Sequence, residues 1–224
     1  MNQFTLIIGN KNYSSWSLRP WLAMKQFDIA FDEIRIGLYT PESAAKIKQY
    51  CPLGNAKVPI LLHGSKTIWD SIAILDYLAH TFPNLPLWPD DAICFSRYLC
   101  EIARSISAEM HSSFLALRNS MPMNCRANLP GKGMNADVQR DIHRIVAIWR
   151  NCRQTYENAG DFLFGAFTIA DAMYAPVMLR FKTYGVSLDS VCQTYADALL
   201  ALPALQEWLH AARVEPETID AFEL

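Results

Sequence analysis

The pattern of apolar residues changes abruptly near residue 90, and this change constrains the fold more than any other feature. Before it, apolar runs of strand length alternate with segments of helical spacing. After Asp91 apolar residues recur only at helical spacing. The proline-rich stretch PNLPLWPDD separates the two regions, as is typical of a linker. We therefore expect an α/β domain over 1–82, a linker over 83–90 and an all-α domain over 91–224.

The first region has the element order β-α-β-α-β-β-α. FTLII is an apolar run of strand length, and FDEIRIGL alternates apolar and charged residues as a half-buried strand does. VPILLH and KTIW are two short strands joined by Gly64 and Ser65, which suits a tight turn. Thr40 and Pro41 are predicted as the N-cap and first residue of the second helix. This order predicts a thioredoxin-like mixed sheet with helices on both faces.

The second region is predicted to be entirely helical. Apolar spacing indicates two long helices, over about 95–117 and 138–156, whose inner faces pack together. Three shorter helices follow at about 168–184, 188–201 and 203–212.

Composition excludes several classes of protein. Half of the 224 residues are apolar, which suffices for a buried core, and a net charge of −2 lacks the basic stripe of a nucleic-acid binder. The six cysteines form no CxxC pair and no metal-type spacing with the five histidines, so we expect free thiols and no metal. No signal peptide and no apolar stretch of about 20 residues is present. These features favour a cytoplasmic protein without membrane contact.

The stretch NYSSWSLRPW places three serines before a helix. Pro20 fits best in a first helical turn, so we expect the helix to begin near Ser17, with Ser17 as its N-cap. Ser14 and Ser15 would then lie where free amides and the positive helix dipole point outward. A hydroxyl at that place can donate to an anion such as a thiolate. Alternatively, the serines only cap the helix and turn the chain.

Two further stretches offer ligand-binding groups. In KVPIL, Pro59 enters a strand, and a cis bond after Val58 would expose backbone groups that can pair with a peptide-like ligand. The alternative is an ordinary trans proline at a sheet edge. In WDSIAI, Asp70 can pair with an ammonium group and Ser71 with a carboxylate, or both can simply cap a helix.

Thr168 and Asp171 in FTIADA have the spacing of a capping box, with Asp in the place of the usual Glu or Gln. We interpret this pair as structural.

Together these stretches resemble the cytosolic glutathione transferases, over essentially the whole chain. SSWSLR is similar to the zeta-class signature, in which two serines and a cysteine precede a further serine and an arginine; Trp16 stands in place of the cysteine. The resemblance implies a thioredoxin-like domain followed by an all-helical domain, glutathione as co-substrate, and a homodimer.

The resemblance also implies roles for single residues. Ser14 falls on the catalytic hydroxyl that stabilises the glutathione thiolate, and Ser15 lies beside it. Asp70 and Ser71 would hold the γ-glutamyl end. Ser17 falls where thioredoxin relatives carry their second cysteine, and Lys57 falls on a position that reaches the glycyl carboxylate. Val58 and Pro59 fall on the backbone segment and cis-proline that lie beside the cysteinyl part.

The function expected from this resemblance is transfer of glutathione to a small hydrophobic electrophile bound between the domains. The candidate lining residues are Trp16, Arg97, Tyr98, Glu101 and Met110. Two alternatives stay open: a glutathione-dependent cis-trans isomerase of the maleylacetoacetate type, and a non-catalytic glutathione-binding or stress-associated protein.

Overall fold

A computed structural model describes residues 3–89, 98–156 and 159–224. Its sheet has four strands, β1 (Phe4–Ile8), β2 (Phe31–Arg35), β3 (Ile60–His63) and β4 (Lys66–Trp69). The strand order is β2-β1-β3-β4; β1 is parallel to β2 and antiparallel to β3, which is antiparallel to β4. The predicted mixed sheet is confirmed.

Three helices cover the two faces of the sheet: α1 (Ser15–Gln26), α2 (Ser43–Tyr50) and α3 (Ser71–Thr81). Alternate residues of a strand face opposite sides, and β1 shows this pattern. Ile7 belongs to a small cluster with Ile47 of α2. Leu6 and Ile8 belong to the main core together with α1 and α3. Thus α2 packs on one face, and α1 and α3 pack on the other.

The rest of the described chain is helical, as predicted. Its helices are α4 (Tyr98–Ser112), α5 (Leu115–Ser120), α6 (Ala136–Tyr156), α7 (Ile169–Tyr184), α8 (Ser190–Ala201) and α9 (Pro203–Val214), followed by a short 3-10 turn at Asp220–Phe222. Nearly every residue of α7 is buried, and this helix packs against both α1 and α4. The core therefore continues from the sheet into the helical region.

The start of α1 differs from the prediction. The helix begins at Ser15 with Ser14 as its N-cap, so the assignment of Ser17 as N-cap is wrong. The Leu18 amide donates to the Ser14 carbonyl at 3.2 Å, which starts the helical bonding before Pro20. Because Pro20 lacks only its own amide hydrogen, the helix continues through it without the bond to the Trp16 carbonyl.

Two other helix boundaries differ. The Thr40 amide donates to the Ser43 hydroxyl at 2.9 Å in a separate turn, so α2 begins at Ser43 and Thr40 is not its N-cap. The first long helix is interrupted because Phe114 has a left-handed φ of 63°, which ends the helical path between α4 and α5. The predicted first turn of that helix lies outside the described residues.

The capping box at the start of α7 is present, as predicted. The Asp171 carboxylate accepts hydrogen bonds from the Thr168 amide at 2.8 Å, the Thr168 hydroxyl at 3.1 Å and the Leu163 amide at 3.0 Å. Burial raises the pKa of this carboxyl to about 6, against the opposing effect of these three donors.

The cysteines of the described residues are all free thiols: Cys51, Cys100, Cys125, Cys152 and Cys192. Burial raises the pKa of Cys125, Cys152 and Cys192 to about 12, so these three stay protonated at neutral pH. In the part of the chain that the structure describes, no helix combines the length and apolar character needed to cross a bilayer.

Candidate active site

A chain of hydroxyl groups lies at the N-terminus of α1. The Gly9 amide donates to the Ser17 Oγ at 3.1 Å, and the Ser17 and Ser14 Oγ atoms are 2.7 Å apart. Ser14 is the N-cap, yet its side chain makes no capping bond to the helix. If Ser17 donates to Ser14, the Ser14 hydroxyl proton is free to donate to a ligand. Ser17 itself is fully buried, and its oxygen is occupied by protein partners.

Ser15 faces a buried arginine from the helical region. The Arg180 Nη2 donates to the Ser15 Oγ at 3.3 Å, while other Arg180 nitrogens donate to the carbonyls of Met121 and Pro176. Burial, and secondarily the charge of Arg118, lowers the pKa of Arg180 to about 10. The Ser15 hydroxyl therefore accepts from a cation and keeps its own proton for donation.

Two further guanidinium groups lie against the ring of Trp16. Arg19 lies 4.3 Å from the centre of the Trp16 ring and Arg118 lies 4.7 Å from it, within the range of cation–π contacts. His111 meets the same ring edge-on at 5.2 Å. The Trp16 ring thus holds two positively charged side chains beside the serines.

Arg19 is the most unusual group in this cluster. It is 1% exposed, and its Nε and Nη1 have no hydrogen-bond partner among the described residues. Burial, followed by the charges of Arg118 and Arg180, holds its pKa well below the usual range, whereas Asp70 acts in the opposite direction. A buried cation with unpaired donors attracts an anion, because the anion offsets the cost of burying the charge.

Asp70 and Ser71 lie at the N-terminus of α3. One Asp70 oxygen accepts from the Ile72 amide at 3.1 Å, and the other lies 3.6 Å from the His111 Nε2. Asp70 has φ 72° and ψ 141°, a conformation that only glycine adopts readily and that is frequent at functional sites. The Ser71 hydroxyl is buried and has no partner among the described residues. Burial lowers the pKa of His111, although Asp70 opposes this effect.

The peptide bond between Val58 and Pro59 is cis, one of the two conformations considered for it. Val58 is half-buried and Pro59 is buried directly before β3, whereas Lys57 is exposed. Within the described residues, no hydrogen bond or ion pair joins Lys57 to the serine and arginine cluster.

Comparison with known proteins identifies the family. The family model for the glutathione S-transferase N-terminal domain matches residues 13–81, and the model for the glutathione S-transferase C-terminal domain matches residues 134–211. A Caenorhabditis elegans protein named "Probable maleylacetoacetate isomerase" is 34% identical over 177 residues, 78% of this chain and 77% of that protein. The chain belongs to the glutathione S-transferase family.

Solved structures show the same glutathione S-transferase fold. A glutathione transferase homologue from Burkholderia with bound glutathione has a TM-score of 0.70 at 19% identity, covering 95% of this chain and 100% of that one. A bacterial zeta-class maleyl pyruvate isomerase has a TM-score of 0.70 at 18% identity, covering 96% of this chain and 100% of that one. Together with the isomerase homologue, these findings confirm the zeta-like resemblance.

The residues predicted to line the electrophile pocket of this transferase are not all brought together. Trp16 is half-buried within the cluster, but the Met110 side chain is 1% exposed and belongs to the hydrophobic core. Glu101 is exposed on α4, Tyr98 begins that helix, and Arg97 lies outside the described residues. Met110 contributes instead through its carbonyl oxygen, which accepts from the Arg118 guanidinium.

The predictions missed the roles of Arg19, Arg118, Arg180 and His111. Arg19 was part of the recognised signature but was assigned no role. Arg180 carried a usable signal, because an arginine in a mostly apolar and almost entirely buried helix needs a polar partner. Arg118 and His111 are separated from α1 by about 100 residues, and local periodicity does not reveal such contacts.

Proposed function

We propose that this chain is a glutathione transferase in which Ser14 holds the glutathione thiolate. The observation that carries the proposal is the hydroxyl chain from the Gly9 amide through Ser17 to Ser14, at the N-terminus of a helix that Ser14 does not cap with its side chain. The thiolate then attacks an electrophilic carbon, a carbon–sulfur bond forms, and the leaving group departs with the bonding electrons. Ser17 is a positioning residue in this scheme.

The energy required is modest. Lowering a thiol pKa by one unit corresponds to about 1.4 kcal/mol. A hydrogen bond to a charged group contributes roughly 1.5–3 kcal/mol, and a helix N-terminus adds roughly 0.3–1 kcal/mol for a nearby anion. One hydroxyl at this place is therefore sufficient to raise the thiolate fraction at neutral pH.

The remaining groups fit the other parts of glutathione. The exposed Asp70 carboxylate suits the γ-glutamyl ammonium, and the buried Ser71 hydroxyl, which lacks a protein partner among the described residues, suits the γ-glutamyl carboxylate. The Val58 backbone beside Pro59 would pair with the cysteinyl part, and Lys57 would reach the glycyl carboxylate. The electrophile would lie against Trp16.

Replacing Asp70 by asparagine tests the γ-glutamyl assignment. Asparagine caps a helix as well as aspartate, so α3 keeps its N-cap while the negative charge is lost. We expect the dissociation constant for glutathione, measured by calorimetry, to rise about tenfold. Asp76→Asn is the matched control, because Asp76 lies on the same helix and pairs with Arg104 instead. An unchanged dissociation constant in Asp70→Asn would rule the assignment out.

A second candidate function is favoured by the arginines. Arg19, Arg118 and Arg180 place three cations beside the serines, and such a site suits an acidic substrate better than a neutral one. In a glutathione-dependent isomerisation the thiolate adds to a double bond, the bond rotates, and the same thiolate leaves. Isomerisation of maleylacetone without net consumption of glutathione would distinguish this reaction from transfer.

Three further expectations belong to this proposal. The division into a glutathione-binding domain over 1–82, a linker over 83–90 and an electrophile-side domain over 91–224 stays a prediction, and the end of α3 at Thr81 supports its first boundary. A homodimer and a cytoplasmic location follow from membership of the family, and both stay predictions.

A further inference from the structure

The loop directly before Ser14 is buried although its residues are mostly polar. Asn10, Lys11, Asn12 and Tyr13 are each 8% exposed or less. Buried backbone groups need hydrogen-bond partners, since an unmatched amide or carbonyl is costly. The loop lies outside the strands and helices, so no regular helix or sheet bonding supplies partners for the backbone groups of Lys11 and Asn12.

The helical region supplies these partners. The Lys11 amide donates to the Glu215 Oε1 at 2.7 Å, and the Asn12 amide donates to the Glu215 Oε2 at 3.0 Å. The Lys11 carbonyl accepts from the Trp208 Nε1 at 2.9 Å, and the Asn12 carbonyl accepts from the Cys125 amide at 3.2 Å. All four backbone groups of these two residues are thus bound by the helical region.

Glu215 makes the strongest of these contacts, because a carboxylate that accepts two amide hydrogens forms charge-assisted bonds with a fixed geometry. The residue is only 8% exposed, and Arg35 lies 3.6 Å away as its ionic partner. The turn that Glu215 holds leads directly to the serine, since the Ser14 amide donates to the Asn10 carbonyl at 2.8 Å.

We propose that Glu215 is a positioning residue for the glutathione reaction. By binding the Lys11 and Asn12 amides it fixes the position of the Ser14 hydroxyl. This inference rests on the proposed function of Ser14. A hydrogen bond to a thiolate weakens steeply as distance and angle change, so the loop must be held to within a fraction of an ångström. The segment after α9 therefore takes part in catalysis without touching glutathione.

The test is Glu215→Gln, measured with the full chain. Glutamine keeps the shape, but its amide nitrogen donates and so one loop amide loses its acceptor. We expect the thiol pKa of bound glutathione to rise by about half a unit to one unit, and kcat at pH 6.5 to fall about twofold to threefold and recover above pH 9. The dissociation constant for glutathione should change less than twofold, because the γ-glutamyl contacts remain.

Glu217→Gln is the matched control. Glu217 belongs to the same segment and binds Arg35 at 2.8 Å, but among the described residues its carboxylate accepts no hydrogen bond from the loop. We expect its thiol pKa to equal that of the wild type. An equal rise in both variants would indicate general loosening of the segment and would overturn the positioning role.

The remaining outcomes separate the two proposals. A wild-type protein that binds glutathione without lowering the thiol pKa contradicts the role of Ser14 itself. A lowered pKa in the wild type that is unchanged in Glu215→Gln overturns only the role of Glu215. If Glu215→Gln does not fold, Glu215→Asp is measured in its place: it keeps the charge and shortens the reach, and an unchanged thiol pKa in that variant also overturns the proposal.

Discussion

The Ser14→Ala variant is expected to conjugate a generic electrophile about tenfold more slowly than the wild type at pH 6.5. Loss of a hydrogen bond of about 3 kcal/mol would raise the thiol pKa by about two units and reduce the thiolate roughly a hundredfold. The more basic thiolate is about tenfold more nucleophilic, which offsets half of that loss on a logarithmic scale. Above pH 9 both proteins hold thiolate, and the more basic thiolate of the variant should then react at least as fast as that of the wild type. Rates across pH 6–10 measure this.

Ser15→Ala is the comparison that assigns the role. Ser15 accepts from Arg180, so its removal should affect the arginine more than the thiolate. A tenfold loss in Ser15→Ala with full activity in Ser14→Ala would move the catalytic hydroxyl to Ser15. Thermal unfolding of both variants is the control for folding, and we expect little change, because the Ser14 side chain makes no capping bond.

The Asp171→Ala variant is expected to lose about 3 kcal/mol of unfolding free energy at pH 7. The change removes the acceptor for three buried donors, from Thr168 and Leu163, each contributing roughly 1 kcal/mol. Urea denaturation followed by tryptophan fluorescence measures the difference. Asp189→Ala is the control: Asp189 caps α8 with one bond to the Cys192 amide, and its exposed ion pair with Arg150 adds little, so its replacement should cost about 1 kcal/mol.

The destabilisation should also depend on pH. The folded pKa of Asp171 is raised to about 6, above the value in the unfolded chain. Between pH of about 4 and 6 the native state therefore holds a proton that the unfolded state releases, so wild-type stability falls as pH rises through that window. Alanine cannot bind this proton. The difference between wild type and Asp171→Ala should thus be about 1 kcal/mol larger at pH 5 than at pH 7. An equal difference at both pH values would contradict the raised pKa.

The order of strands and helices could be predicted from local patterns, because each element has one apolar face whose spacing is visible in the sequence. The Gly64–Ser65 turn and the Asp171 capping box were also predictable, since each depends on neighbouring residues. The start of α1 was not predictable in this way. Pro20 favours a later start, but the carbonyl of Ser14 already binds the Leu18 amide, and this bond outweighs the single amide that proline lacks.

The candidate site was predictable only where it depends on helix N-termini. Ser14, Asp70 and Ser71 lie at such positions, so their sequence context made them candidates. Apart from Arg19, the cations of the site come from distant parts of the chain. Arg180 reaches Ser15 across 165 positions, and Glu215 reaches Lys11 across 204. No short segment of the sequence contains both residues of such a pair, so the three-dimensional fold is needed to find these contacts.

The proposed mechanism requires that this protein lowers the pKa of the glutathione thiol. This requirement can be measured by titrating the wild-type protein with glutathione and following the ultraviolet absorbance of the thiolate across pH on the same samples. We expect saturable binding and a thiol pKa at least about one unit below that of a free thiol. Saturable binding with an unchanged thiol pKa would rule out thiol activation and favour a non-catalytic binding protein, and absence of binding would rule out glutathione as co-substrate.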